Sequence, residues 1–223
     1  MLSNPFFDDR ADAGEKLAEA VADEFGKLNL STQDTIKPIV YALPRGGLPV
    51  AVPIARRLRC ALDVVVAKKI TRPDNLELAI GAATADGQVL WQKQNQPNLR
   101  LQKSALQQAE NSAQSLLADL ASGRPNVSAA GALAILVDDG IATGMTVAVA
   151  AQALRSQQPM ALWICAPVAP PELMGFLAQI ADKSIILETP HPFYSVSRFY
   201  AQFPQVETAE ALLCLQRQIE WRS

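Results

Sequence analysis

Short apolar runs alternate along this chain with longer stretches in which hydrophobic residues recur every three or four positions. The short runs predict strands at Pro38 to Leu43, Leu62 to Ala67, Leu133 to Val137, Ala161 to Ala166 and Ser184 to Leu187, each bounded by polar or turn-forming residues. The longer stretches predict helices. The first runs from Arg10 to Leu28, with Ala13, Leu17, Ala20, Val21 and Phe25 on one face, and others follow at Val50 to Leu58, Val147 to Gln157 and Pro171 to Ile180. Strands and helices in alternation imply an α/β fold, a mainly parallel sheet of about five strands with helices on both faces.

The alternation stops between Lys68 and Gly131. Leu78 to Thr84 and Gln88 to Trp91 flank Asp86-Gly87, a strong hairpin signal. A polar helix rich in Gln, Ala and Leu is expected from Leu99 to Leu120, and Ala121 to Asn126 returns the chain to the core. A hairpin and a helix are thus inserted at about residues 70–130. No internal repeat is visible.

Composition narrows the picture. With 223 residues, 49% of them hydrophobic, the chain can bury a single substantial core. A net charge of −2 gives no general attraction to nucleic acid or acidic lipid. There is no apolar run of the roughly eighteen residues that a membrane span requires. Met1 to Pro5 lacks the basic and apolar regions of a signal peptide, so a cytoplasmic protein is expected. Cys60, Cys165 and Cys214 lie far apart among apolar neighbours and read as reduced thiols. His191, the single histidine, sits between prolines and reads as a loop residue.

The candidate chemistry lies where predicted strands end. The run Ala132 to Val137 is followed by Asp138-Asp139, then Gly140-Ile141-Ala142-Thr143-Gly144-Met145-Thr146 and a helix. The first amides of a helix lack intrahelical partners and carry the positive end of its dipole. A phosphate monoester fits there, with the Thr143 and Thr146 hydroxyls as added donors. Carboxylates repel phosphate and suit neutral hydroxyls or a divalent cation, so the combination points to a sugar phosphate. An ordinary strand, acidic turn and capped helix is the plainer alternative.

A second strand end carries Pro44-Arg45-Gly46-Gly47-Leu48-Pro49. Adjacent glycines let backbone amides turn inward, and Arg45 adds a planar fork of donors. At a third, Lys68-Lys69 leaves a β-branched run; either lysine could contact an anion, and a solvated strand end is the plainer alternative.

Two acids, three variable residues, Thr-Gly, one variable residue and Thr after a hydrophobic strand resemble the phosphoribosyl pyrophosphate (PRPP) signature of type I phosphoribosyltransferases. The Arg-Gly-Gly loop is similar to that family's pyrophosphate loop. Phe6 to Gly14, Glu77 to Ala82, Ala166 to Glu172 and Thr189 through Phe203 resemble a group of stand-alone bacterial members whose acceptor is unassigned.

The resemblance implies one phosphoribosyltransferase domain over residues 1–223, with a flap within Thr71 to Gln94 and a hood from about 1–30 and 189–223. It implies Mg²⁺-dependent transfer of the phosphoribosyl group from PRPP to a nitrogenous small-molecule acceptor, with release of pyrophosphate. Magnesium would be held mainly by PRPP. The catalytic set would be Asp138, Asp139, Arg45, Lys68 and Lys69. Gly140 to Thr146 would hold the 5′-phosphate, and Pro44 to Gly47 the pyrophosphate. Val168 and Ala169 backbone groups and the rings of Phe193, Tyr194 and Tyr200 are acceptor candidates, such aromatics being more often core residues. Enzymes for 6-oxopurines usually place an acid where this chain has Ala142, which disfavours hypoxanthine and guanine. The long helix would support the flap or pack on a second copy in a homodimer. The alternative of another class is a PRPP- or nucleotide-binding regulator without turnover. The sequence shows no basic DNA-binding element, which favours the enzyme over a transcriptional regulator.

Overall fold

The computed structural model describes residues 5–28, 36–72, 74–92 and 98–222. Met1 to Asn4, Asn29, Leu30, Ser223 and the Pro73, Lys93 and Gln94 positions of the expected flap lie outside those residues. Helix α1 spans Arg10–Gly26 and leads to β1 at Pro38–Ala42, α2 at Gly47–Leu58 and β2 at Ala61–Val64. An insertion follows, comprising β3 at Ala67–Arg72, β4 at Asn75–Thr84, β5 at Val89–Trp91 and α3 at Leu99–Asp119. The core resumes with β6 at Leu133–Val137, α4 at Met145–Ser156, β7 at Ala161–Val168, α5 at Met174–Ile180 and β8 at Lys183–Glu188. Two short helices, α6 at Thr208–Gln216 and α7 at Ile219–Arg222, close the chain.

Five strands form one parallel sheet in the order β2-β1-β6-β7-β8, and β3-β4-β5 form a separate antiparallel sheet. Because side chains alternate across a strand, the parallel sheet has two apolar faces. Val40, Ala42, Leu62, Val64, Ile135 and Val137 meet α1, α2 and α6 on one side. Tyr41, Leu43, Ala134, Leu136 and Ile164 meet α4 and α5 on the other. Burying each large aliphatic side chain contributes about 1.5–3 kcal/mol, which accounts for near-continuous apolar strands in a sheet covered on both faces.

The expected strand from Leu62 to Ala67 is two strands. Val65 makes the last bond to β1, donating its amide to the Ala42 carbonyl at 3.1 Å, and Ala85 then donates to the Val66 carbonyl at 3.0 Å. The chain thereby passes from the parallel sheet to the antiparallel one, and Lys68 and Lys69 lie inside β3 instead of leaving a core strand. The predicted hairpin is correspondingly a three-stranded sheet. Along α3, Ala105, Ala109 and Ala113 recur every fourth residue and are buried with Leu116; the first two pack against Ile70, Ile80 and Ala83. Ala105 and Ala109 thus cover the helix's own insertion, while Ala113 and Leu116 join the core of the parallel sheet.

Asp63 reads in the sequence only as part of an apolar run, yet it is fully buried and well supplied with donors. It accepts from the backbone amides of Val64 at 2.8 Å and Val127 at 3.0 Å, and from Arg124 Nε at 2.6 Å. Tyr41 donates its hydroxyl to the Val127 carbonyl at 3.0 Å. These bonds tie the segment after α3 to the edge of the parallel sheet.

The two ends of the chain meet near the end of β7. The amides of Phe6 and Phe7 donate to the Phe199 carbonyl, and those of Ala201 and Gln202 donate to the carbonyls of Phe7 and Asp8. Phe7, Val168, Phe199 and Tyr200 form a small separate core with Phe193 and Phe203 at its margin. The three cysteines are free, Cys60 and Cys165 buried and Cys214 partly so. Among the described residues no helix is long and apolar enough to cross a membrane.

Candidate active site

The carboxyl edge of the parallel sheet, where α/β folds bind ligands, carries two strand-to-helix loops in contact. One follows β6 and begins with Asp138-Asp139. The other follows β1 and contains Arg45-Gly46, with a cis peptide between Pro44 and Arg45. A Cβ added to Gly46 would overlap the Asp139 carboxylate, so only glycine lets the two loops approach this closely.

At the end of the first loop Gly144 caps α4 in a left-handed conformation, with φ of +74°. The first helical bond runs from the Ala148 amide to the Gly144 carbonyl at 2.8 Å. The amides of Met145, Thr146 and Val147 donate to no group among the described residues. Thr143 and Ala142 are exposed, and Thr146 is partly so. Three free amides, a threonine hydroxyl on either side and a helix dipole make a cradle for one anion. The Ile141 amide is committed to the Val168 carbonyl at 2.9 Å, and Ile141 and Gly140 are buried, so those two residues shape the loop from within.

The two acids differ. Asp139 Oδ2 receives Arg10 Nε at 2.8 Å, with both side chains largely enclosed. The Asp139 carbonyl accepts the Tyr200 hydroxyl at 2.6 Å. Asp138 accepts the Asp139 amide at 2.9 Å and forms no ion pair among the described residues. Burial pushes both carboxyls above the ordinary carboxylate range; the charge of Asp139 drives Asp138 further up, whereas Arg10 draws Asp139 back down. A protein that keeps an acid in this state retains unused capacity to bind hydroxyls or a cation.

Arg45 Nη1 donates to Thr208 Oγ1 at 3.1 Å and lies 3.9 Å from the Glu207 carboxylate. Lys68 shares a cleft of about 500 Å³ with Arg45, Asn111, Ser112, Ser115 and Thr208. Burial first, and then the Arg45 charge, lower the Lys68 pKa from its ordinary value. Lys69 is exposed and does not line that cleft. Both lysines line a neighbouring cleft with Thr71 and Ser112, and Lys68 alone also reaches the one with Arg45.

The acceptor candidates divide in the same way. Val168 and Ala169 are fully buried; the Val168 carbonyl is taken by Ile141, and the Ala169 amide donates to the Glu188 carbonyl at 3.2 Å. Tyr200 is enclosed, its hydroxyl committed to Asp139 and its pKa raised by burial. Phe193 packs at 5.0 Å on Phe199, and Tyr194 is 71% exposed with the Arg198 guanidinium 4.9 Å from its ring. Phe193 and Tyr194 are thus the candidates with ring surface to offer. His191 is exposed, 3.3 Å from the Glu172 carboxylate.

Arg10 is the site residue that sequence patterning does not single out. It lies 129 positions from Asp139, and its only local signal is a cation at the first position of a helix, where the dipole disfavours positive charge.

A family model described as phosphoribosyl transferase domain matches residues 9–176. Two curated Mycobacterium tuberculosis proteins, from strains CDC 1551 and H37Rv, bear the name "Putative phosphoribosyl transferase". Each is 34% identical over 215 residues, covering 95% of this chain and 46% of its own length. The chain therefore spans about half the length of these curated relatives. The crystal structure of TT1426 from Thermus thermophilus is 30% identical, covers 97% of this chain and 99% of its own, and superimposes with a TM-score of 0.77. With the loop pair at the expected sheet edge and residues 9–176 matched by the family model, this chain belongs to the phosphoribosyl transferase domain family.

Proposed function

We propose that the protein transfers the 5-phosphoribosyl group from PRPP to a nitrogenous acceptor, with magnesium, releasing pyrophosphate. The observation that carries this reading is the pairing of an underused, half-buried carboxylate, Asp138, with the unbonded amides of Met145 to Val147 a few residues on. A ribose 5-phosphate presents hydroxyls to the first and a phosphate to the second. Family membership supports the same substrate.

In this reading Asp138 and Asp139 face the ribose hydroxyls, Gly140 to Thr146 enclose the 5′-phosphate, and Pro44 to Gly47 approach the pyrophosphate. The bond from the anomeric carbon to the pyrophosphate oxygen breaks with its electron pair leaving on oxygen. An acceptor nitrogen supplies its lone pair from the opposite face and then sheds its proton. Arg45 and Lys68 stabilise the negative charge that grows on the leaving group, and Lys69 lies beside Lys68 in the adjoining cleft. Among the described residues no three His, Cys, Asp or Glu side chains gather as a metal site. Magnesium would be carried mainly by substrate oxygens and water, as it is in phosphate sites. When bound, it supplies further neutralisation of pyrophosphate.

Phe193 and Tyr194 would meet the acceptor ring. Water exclusion falls to the insertion. Ile80 and Ala83 are held in the insertion's own core and Ala82 against the parallel sheet.

The test is calorimetric titration with PRPP and Mg²⁺, followed by a screen for pyrophosphate release across nucleobases and small amines. Magnesium-dependent binding with acceptor-specific release supports the transferase. Binding with no release across the panel favours a PRPP-sensing regulator, and absence of binding removes PRPP as the ligand.

A further inference from the structure

Arg10 is held on three sides. Its Nε meets Asp139 Oδ2 at 2.8 Å, its Nη1 donates to the Pro204 carbonyl at 2.6 Å, and its guanidinium lies 3.6 Å from the centre of the Phe203 ring. Both contacts besides Asp139 come from the segment that follows Tyr200, and Tyr200 itself donates to the Asp139 carbonyl at 2.6 Å. Asp139 also abuts Gly46. Asp139 therefore joins α1 and the Gly46 loop through its carboxylate, and the aromatic segment through its carbonyl. Placing a cation at the start of α1 opposes the helix dipole, and Asp9 already caps that helix by accepting from the Ala11 and Asp12 amides. Helix stability thus gives no reason for an arginine here. Its side-chain contacts do.

We propose that Arg10 is a positioning residue that divides the acid pair: it engages Asp139 as a latch for the chain's two ends, and so leaves Asp138 as the carboxylate that receives the sugar hydroxyls. The inference rests on the phosphoribosyl-transfer reading and assigns unequal roles to the two acids of that site. Without Arg10, the Asp139 charge stands unpaired in a partly buried place and repels an incoming polyphosphate. A lysine restores the charge but loses the fork that spans Asp139 and Pro204.

The experiment is titration of this chain with PRPP and Mg²⁺ in five variants. Asp138→Asn is expected to weaken binding by about tenfold or more, the weight of a charge-assisted hydrogen bond, and Asp139→Asn clearly less. Arg10→Gln weakens binding, Arg10→Lys recovers part of the loss, and Arg10→Gln combined with Asp139→Asn binds better than Arg10→Gln alone because the orphaned charge is gone. A merely structural arginine would show no such recovery in the double variant. Equal losses in Asp138→Asn and Asp139→Asn, or a double variant no better than Arg10→Gln, overturn the division of roles while wild-type binding still upholds PRPP as ligand. A wild-type chain that does not bind PRPP overturns the function itself, and the assignment of Asp138 with it.

Discussion

Two acids, Asp63 fully buried in β2 and Asp138 half-buried just past β6, have opposite surroundings. Asp63 accepts two backbone amides and an arginine. Asp138 is enclosed with one backbone amide and a like charge beside it. The first arrangement satisfies a buried charge and holds a loop to the sheet. The second leaves a charge poorly served, which costs stability and is sensible only where a ligand will complete it. The contrast separates an acid that serves the fold from one that serves chemistry.

The sharpest way to break the comparison is to remove Asp63. Asp63→Ala strands Arg124 and the Val127 amide and should cost about 3–5 kcal/mol in urea unfolding. A loss well under about 1 kcal/mol would mean that water serves these groups as well as Asp63 does.

Asp138→Asn should act the other way round. Turnover at limiting PRPP should fall roughly 10- to 100-fold, equivalent to about 1.5–3 kcal/mol, while the ligand-free protein becomes more stable near neutral pH. The sign follows from linkage. A carboxyl whose folded pKa is raised binds protons more tightly folded than unfolded, so wild-type stability declines as pH rises from the unfolded carboxylate range through the folded one. Melting temperature against pH should show that decline in wild type and a weaker one in Asp138→Asn. Parallel curves would sink the idea that Asp138 is the strained acid.

Gly144→Ala tests the cradle. The left-handed φ of +74° costs an alanine about 1–2 kcal/mol, and its methyl would come within 3.2 Å of the Phe176 ring. Phosphate affinity should weaken along with stability, measured by titration and melting of the same variant. The smallest effect belongs to the exposed Lys16–Asp12 pair at 2.8 Å. Lys16→Ala should change stability by only about 0.3–0.5 kcal/mol, and a larger change would undermine the ranking by burial.

Much of the fold was legible because its signals are local. A five-residue apolar run, two acids, a Thr-Gly turn and a helical repeat are contiguous from Leu133 onward, and neighbours in sequence report their own backbone geometry. The boundary at Val65-Val66 was illegible for the opposite reason: an apolar β-branched run looks alike whether it continues one strand or changes sheets, and only the partners Ala42 and Ala85 distinguish the cases. Val168, Ala169 and Tyr200 look available in sequence and prove to be committed internally, since a side chain's type does not reveal whether its polar atoms are already bonded.

Sequence alone determined the α/β alternation, the two anion-shaped loops and the family resemblance, all of which depend on residue order over short spans. Tertiary structure decided which groups in that frame remain free. It brought Arg10 across 129 positions to Asp139, placed Lys68 in a cleft with Arg45 and kept Lys69 out of it, and gave Asp63 its partners while leaving Asp138 without a counter-ion among the described residues. Hydrogen bonds and charges act through space over a few ångströms, and distances of that kind exist only once the chain has folded.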